Sequence, residues 1–330
     1  MQHAHAYEAL TPDVVLDALS MLGLAVDGRL MALSSYENRV YQVMLDDEQA
    51  LVAKFYRPDR WSDAQILEEH TFAAELMAQE IPVVGPLVLL GKTLHHAAGF
   101  AFSVSPRRGG RMPEFDDEEV LEWVGRFIAR IHSVGEKKSF QTRPTLNVQT
   151  FAQDARDWLI GERAIPLDQQ SAWTTWCDKA IAIASDIVSQ HHPSAIRLHG
   201  DCHPGNILWT PTDQPNGGPH FVDLDDARMG PAIQDLWMLI SGDRAQRTYQ
   251  LSVLLDGYEQ MRPLQRSELA LIEPLRTLRL IHYSAWLASR KDDPAFVQHF
   301  SWFGSSDYWA GQIHMLEEQC EAMLEPPLAL

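Results

Sequence analysis

Apolar positions recur with two different periods along this chain, and the changes of period mark its elements. In residues 12–22, PDVVLDALSML, Val15, Leu19 and Leu22 recur at helical spacing behind Thr11-Pro12, a helix-start pattern. In RLMALSSYENRVYQVML (29–45) the later half alternates Val40, Gln42, Met44 against Tyr41, Val43, Leu45, which predicts a strand after a short polar turn. Asp46–Glu48 supplies the next turn and ALVAKFY (50–56) a second strand, so the two predict an antiparallel hairpin. Helical spacing returns in AQILEEHTFAAELMAQE (64–80) through Ile66, Phe72, Ala73 and Leu76. Residues 81–106 read as strands broken by Pro and Gly, with Arg107-Arg108-Gly109-Gly110 as a connector.

From Asp116 the pattern becomes mainly helical. DDEEVLEWVGRFIARIHSVG (116–135) carries apolar residues at 120, 124, 127, 128 and 131 behind an acidic first turn that suits the helix dipole. Further helices are predicted at 150–160, 170–190, 231–241, 245–260 and 266–290. IRLHGD and FVDLDD interrupt this half, and ILW (207–209) and HFV (220–222) are short strands joined by the turn-rich TPTDQPNGGP. The prediction is an α+β chain with a small β-rich N-terminal lobe and a larger, mainly helical C-terminal one.

Composition narrows the class. At 330 residues there is enough chain for two cores, and 45% hydrophobic with 22% charged residues excludes disordered, collagenous and coiled-coil classes. Cys177, Cys202 and Cys320 are odd in number and form no CxxC, which points away from a disulfide framework and toward a reducing cytoplasm. MQHAHAYEAL lacks the basic start and apolar core of a signal peptide, and no run approaches the roughly 20 apolar residues of a membrane span. Lys plus Arg number 27 against 45 Asp plus Glu, a net charge of −18 that works against nucleic-acid or anionic-membrane partners. The same charge suits a cationic partner, or simply a solvated acidic surface.

The stretch IRLHGDCHPGNILW (196–209) gathers His199, Asp201, Cys202, His203 and Asn206 between apolar flanks. His199, Asp201 and His203 at alternate positions could converge on zinc with Cys202 nearby. Alternate residues share a face only in an extended chain, however, whereas Gly200 and Pro204-Gly205 predict a bend, and no second cluster follows at ligand spacing. The other chemistry is phosphoryl transfer. It needs an aspartate to orient the accepting hydroxyl, an asparagine nearby for Mg²⁺, and a second carboxylate on the metal, arranged in protein kinases as HRDxxxxN followed by a hairpin and an aspartate. Here His199-Gly200-Asp201 is followed by Asn206, and Asp223 ends the next strand. Upstream, Lys54 in LVAKFY sits as the lysine does in V-A-I-K, and Glu69 lies on the inward stripe of the following helix, where a charge is expensive unless paired. Glu68 is the neighbouring alternative.

HGDCHPGN resembles the HGDxHxxN loop of the aminoglycoside phosphotransferase and choline kinase superfamily, and FVDLDDA resembles its counterpart of the DFG strand end. SYENRVYQV, VAKFYRPDRW, ILEEH, FVDLDDARMGPAIQDLWML and the terminal EPPL extend the resemblance, across nearly the whole chain, to a bacterial stress-response family within it. The resemblance implies a bilobal protein-kinase-like α+β fold, with an ATP-binding lobe at 1–106 and a catalytic and substrate lobe at 107–330. It implies ATP and Mg²⁺ as cofactors, and a serine/threonine protein kinase that phosphorylates protein substrates and itself in a cytoplasmic stress response. Asp201 would be the catalytic base, Asn206 and Asp223 the Mg²⁺ ligands, and Asp223 would also organise the transferring phosphate. Lys54 would hold the α and β phosphates, Glu69 would pair with it, and Ser35 would approach the nucleotide phosphates. Adenine would sit near Val104–Arg107. Asp225 and Asp226 could back up the site or face the substrate, with a solvated turn as the default expectation, Asp235 is expected to brace the catalytic loop, and a monomer is expected. A small-molecule kinase of the aminoglycoside or choline type is the alternative, and a nucleotide-binding pseudokinase a second.

Several features depart from ordinary protein kinases. There is no GxGxxG, and SSYENR fills the hairpin turn, so grip on ATP falls to Ser35 or turn amides. The loop reads His-Gly-Asp, without the arginine that reads a phosphorylated activation loop. No APE follows Asp223, and Gly230-Pro231 comes only seven residues after it. Activity is therefore expected not to depend on activation-loop phosphorylation.

Overall fold

The computed structural model describes residues 6–293 and 296–329. In chain order its elements are α1 (Pro12–Ser20), β1 (Val26–Ala32), β2 (Arg39–Leu45), β3 (Ala50–Phe55), α2 (Asp63–Ala78), β4 (His95–Ala97), β5 (Phe100–Pro106) and α3 (Glu118–Gly135). There follow α4 (Asp154–Gly161), α5 (Leu167–His191), β6 (Ile196–Leu198), β7 (Ile207–Thr210), β8 (Gly218–Phe221) and β9 (Arg228–Gly230). The chain closes with α6 (Gln234–Trp237), α7 (Arg244–Tyr258), α8 (Ile272–Ala288), α9 (Phe296–His299) and α10 (Ser306–Ala322).

These elements form two compact units, a β-rich one and a helical one, which realise the α+β, kinase-like fold class. The β-rich unit comprises the chain up to Glu114 together with Phe140–Arg143 and His203–Ala227. Its five-stranded sheet has the order β1-β2-β3-β5-β4, with antiparallel pairing throughout. Period-two alternation in β3 buries Leu51, Ala53 and Phe55 and turns Lys54 to the other face, where it pairs in register with Val40 and Ser103. Phe55 stacks on Phe102 with ring centroids 4.9 Å apart, and α1 adds Val15 and Leu19 to this core. Thr11 caps α1 and Ser62 closes a capping box with Gln65 on α2, so both helices start where polar side chains satisfy their first amides.

The helical unit comprises Phe115–Ser139, Pro144–Cys202 and the chain from Arg228 onward. Its α3 and α7 approach through paired glycines: a Cβ on Gly125 would lie 2.0 Å from the Leu254 carbonyl oxygen, and one on Gly257 2.0 Å from that of Glu122. Gly257→Ala therefore has to prise the helices apart, and we expect it to lose about 3 kcal/mol of unfolding free energy in urea titration; a wild-type midpoint would contradict the close packing. Trp173 of α5 meets Trp309 of α10 edge to face at 6.0 Å, and β6 pairs antiparallel with β9.

Three elements differ from the sequence reading. Of the strands expected over 81–106 only β4 and β5 are regular, because Pro82, Pro86 and the positive φ of Leu90 and Gly91 leave the rest to isolated bridges. The helix expected over 231–241 shrinks to the four residues of α6, between Pro231 and the left-handed Gly242. Finally, α10 lies wholly beyond the helices expected from the sequence, and the 266–290 helix begins as a 3₁₀ stretch, Arg266–Leu271, before α8.

Candidate active site

In the β-rich unit, charged groups converge on the turn that follows β8. Asp223 takes a left-handed conformation, φ 60° and ψ 64°, ahead of a 3₁₀ turn at Leu224–Asp226. A non-glycine residue there costs about 1–2 kcal/mol, a strain that surrounding contacts must sustain. Lys54 Nζ lies 2.7 Å from Asp223 Oδ1 and 3.2 Å from Asp225 Oδ1. Arg60 pairs with Asp225 and, at 2.9 Å, with Asp226, while Asn38 Nδ2 donates to Asp225 Oδ2 at 3.2 Å. Asp225 is only 2% exposed. The expectation of a solvated turn is thus corrected: one of its two acids is a buried charge that survives because Lys54, Arg60 and Asn38 surround it. Burial pushes the Asp225 carboxyl up, but Lys54 and Arg60 outweigh that and hold it below its ordinary value. Burial likewise pulls Lys54 down, yet Asp223, Asp225 and Glu69 keep it well above the usual lysine range.

Glu68 and Glu69 differ in what each touches. Glu68 accepts the backbone N–H groups of Gln141 (2.6 Å), Thr142 (2.9 Å) and Arg143 (3.0 Å), and the Thr142 hydroxyl at 2.8 Å. Glu69 is buried, with Oε2 3.7 Å from Arg143 Nη1, and its charge acts on Lys54. Burial raises its pKa, against the pull of Lys54. Lys54 thus has Asp223 and Asp225, rather than the expected Glu69, as ion-pair partners, and Glu69 acts on it only through its charge. The next residue, His70, anchors α2 to the sheet through Tyr56 (2.8 Å), whose hydroxyl also meets Ser103 (3.1 Å).

Asn206 ends a 3₁₀ turn at the head of β7, and its carbonyl accepts the Val222 N–H at 3.0 Å, which ties it to the strand end that carries Asp223. Ser35 lies half-buried in the glycine-free turn between β1 and β2. Neighbouring Glu37 pairs with Arg57 (3.2 Å) and Arg60 (3.5 Å), so side chains hold the turn where glycines would let backbone do so. At the expected adenine position the Val104 carbonyl accepts from Leu87 and the Arg107 N–H donates to Ala50, so both are engaged within the sheet region.

In the helical unit, Asp201 follows Gly200, whose φ of 86° suits glycine alone. Asp235, fully buried on α6, accepts the N–H groups of His199 (2.8 Å) and Gly200 (2.9 Å) and meets His132 Nε2 at 3.1 Å. Burial alone would raise the Asp235 pKa, but His132 and these amides bring it below its ordinary value. Arg279 of α8 donates to Asp201 Oδ1 at 2.7 Å. Neither Arg279 nor His132 was legible beforehand, although His132 is a polar residue beside the apolar stripe of α3 at Ile128 and Ile131. Cys202 is buried, which pushes its thiol far up and away from metal-ligand chemistry. His203 Nδ1 accepts the Gly205 N–H at 3.0 Å. Among the described residues no three His, Cys, Asp or Glu are placed to hold a metal, so the zinc alternative gains no support. No helix among them is long and apolar enough to cross a membrane.

The β-rich unit thus carries a lysine paired with the acid after a hairpin and an asparagine at the hairpin's head, and the helical unit an aspartate in a His-Gly-Asp loop, the residue types a phosphotransferase of the kinase-like class uses. The phosphotransferase enzyme family model matches residues 30–269, and the chain belongs to that family. It is 44% identical to stress response kinase A of Escherichia coli O157:H7, over 99% of this chain and 98% of that one. It is 43% identical, with the same coverage, to the serine/threonine protein kinase RdoA of Salmonella typhimurium. Among solved structures, an amicoumacin kinase in complex with AMP-PNP, Ca²⁺ and amicoumacin shares the fold at TM-score 0.70 and 20% identity, over 95% of this chain and 94% of that one.

Proposed function

We propose that this phosphotransferase is an ATP- and Mg²⁺-dependent serine/threonine protein kinase that also phosphorylates itself, acting in a bacterial stress response. The observation that carries the reading is the 43% identity, along nearly the full length of both chains, to a relative named as a serine/threonine protein kinase. The Arg279 guanidinium seated on Asp201 supports it further. A cation at that carboxylate disfavours a positively charged aminoalcohol and suits a neutral serine or threonine hydroxyl.

In this reading Asp201 orients the acceptor hydroxyl and takes its proton as the oxygen bonds to the γ-phosphorus and ADP leaves. Lys54 would hold the α and β phosphates, with Glu69 as its counter-charge. Ser35 approaches the phosphates from the β1–β2 turn. The oxygen donors of Asn206 and Asp223, with the Asp223 side chain 47% exposed, fit a hard cation such as Mg²⁺. Bound there, Mg²⁺ would supply charge neutralisation on the phosphates.

The test is to incubate the full chain with γ-labelled ATP and Mg²⁺, with a dephosphorylated protein acceptor in one arm and an aminoalcohol or aminoglycoside in the other. Label on the acceptor protein and on the chain itself is expected. ATP consumption that needs the small molecule and leaves protein unlabelled would instead assign a small-molecule kinase.

A further inference from the structure

Arg143 is almost fully buried, 4% exposed, and none of the roles above uses it. Its Nε donates to the Ala227 carbonyl at 2.6 Å, Nη2 to the Asp225 carbonyl, and Nη1 to the Gln65 carbonyl of α2 at 2.8 Å. The guanidinium lies over the Trp61 ring, 4.6 Å from its centroid. One planar fork thus fastens the middle and the far end of the turn that follows Asp223 to the helix that carries Glu69. The short segment 140–143 is itself held to α2: Glu68 accepts its three successive amides, and Gln65 Nε2 donates to the Thr142 carbonyl at 3.0 Å.

We propose that Arg143 is a positioning residue that holds the 223–227 turn and α2 in their working arrangement permanently, in place of a phosphorylated activation loop. Residues 224–230, LDDARMG, contain no hydroxyl that could be phosphorylated. A cation paired with phosphate orders such a loop only after modification. Here the cation is held by backbone carbonyls and, at 3.7 Å, by the Glu69 carboxylate instead, and a buried guanidinium is tolerated only with these partners in place, so the turn and helix are held together or not at all. The inference rests on the kinase reading for its consequence, though not for the tie itself.

Arg143→Lys, Arg143→Ala and Glu68→Gln test it with two readouts. The first is amide hydrogen exchange of 223–227 and 63–78 without nucleotide, which reads the tie whether or not the chain is a protein kinase. We expect exchange there to rise about tenfold or more in Arg143→Lys and less in Glu68→Gln, with the β2–β3 hairpin unchanged. The second is steady-state phosphoryl transfer, where a fall in kcat of about tenfold or more is expected for Arg143→Lys, with partial recovery of Arg143→Ala by added methylguanidinium. Wild-type exchange and kcat in a folded Arg143→Lys protein would overturn the proposal. If the Arg143 variants fail to fold, wild-type exchange at 223–227 in Glu68→Gln overturns it. A wild-type chain that transfers no phosphate to protein, yet shows the exchange effect, would remove the protein-kinase reading and leave the tie standing.

Discussion

Asp201→Asn lowers phosphoryl-transfer turnover about a thousandfold and leaves nucleotide affinity within about threefold of wild type. The first number is the usual worth of a positioned general base. The second follows because phosphate and metal are expected on Lys54, Asn206 and Asp223, whereas Asp201 is expected to act on the acceptor hydroxyl. Asparagine keeps an oxygen for the Arg279 hydrogen bond, so folding should be little disturbed. Steady-state kinetics with a fluorescent-nucleotide titration separates the two effects. Unchanged turnover would remove Asp201 from the chemistry, and a parallel collapse of nucleotide binding would make it a structural residue.

Asp235→Ala should lower stability by about 3–5 kcal/mol and abolish activity even under conditions where the chain stays folded. The carboxylate is fully buried and satisfies two amides of the loop that presents Asp201, as well as His132. Truncating it leaves three buried donors without an acceptor, each worth about 1–3 kcal/mol. Its depressed pKa also sets a sign for pH. Stability held by an acid whose folded pKa lies below its unfolded one, about 3.9, is complete above that value and drains away as pH falls through the folded pKa. Urea unfolding of the wild type should therefore weaken below about pH 4, and the Asp235→Asn protein, already weaker at pH 7, should lose part of that acid dependence. An Asp235→Ala protein as stable as wild type at pH 7 would contradict the loop-bracing role.

Much of this architecture was legible along the chain because its signals are local. The alternation in 40–45 and 50–55 specifies β2 and β3, since period two needs only the pleat of one strand. The 120, 124, 128, 131 stripe specifies α3 in the same way, and Thr11 and Ser62 announce their helices within one turn. The loop from His199 to Asn206 and the strand end at Asp223 could be read as a phosphoryl-transfer set because their spacing is itself the signal. The burial of Trp309, Gln312, Leu316 and Cys320 gives α10 the same helical spacing, but polar Gln312 breaks its apolar stripe. Tertiary structure alone decided which adjacent acid does what. Glu68 and Glu69, like Asp225 and Asp226, are neighbours in sequence with the same chemistry, and only partners brought from Asn38, Arg60 and Gln141–Arg143 tell them apart. Those partners lie from 73 to 187 residues away along the chain, beyond the reach of any periodic pattern. Whether a carboxylate is buried and charged depends on which cations folding delivers to it, and that is a property of the packed molecule.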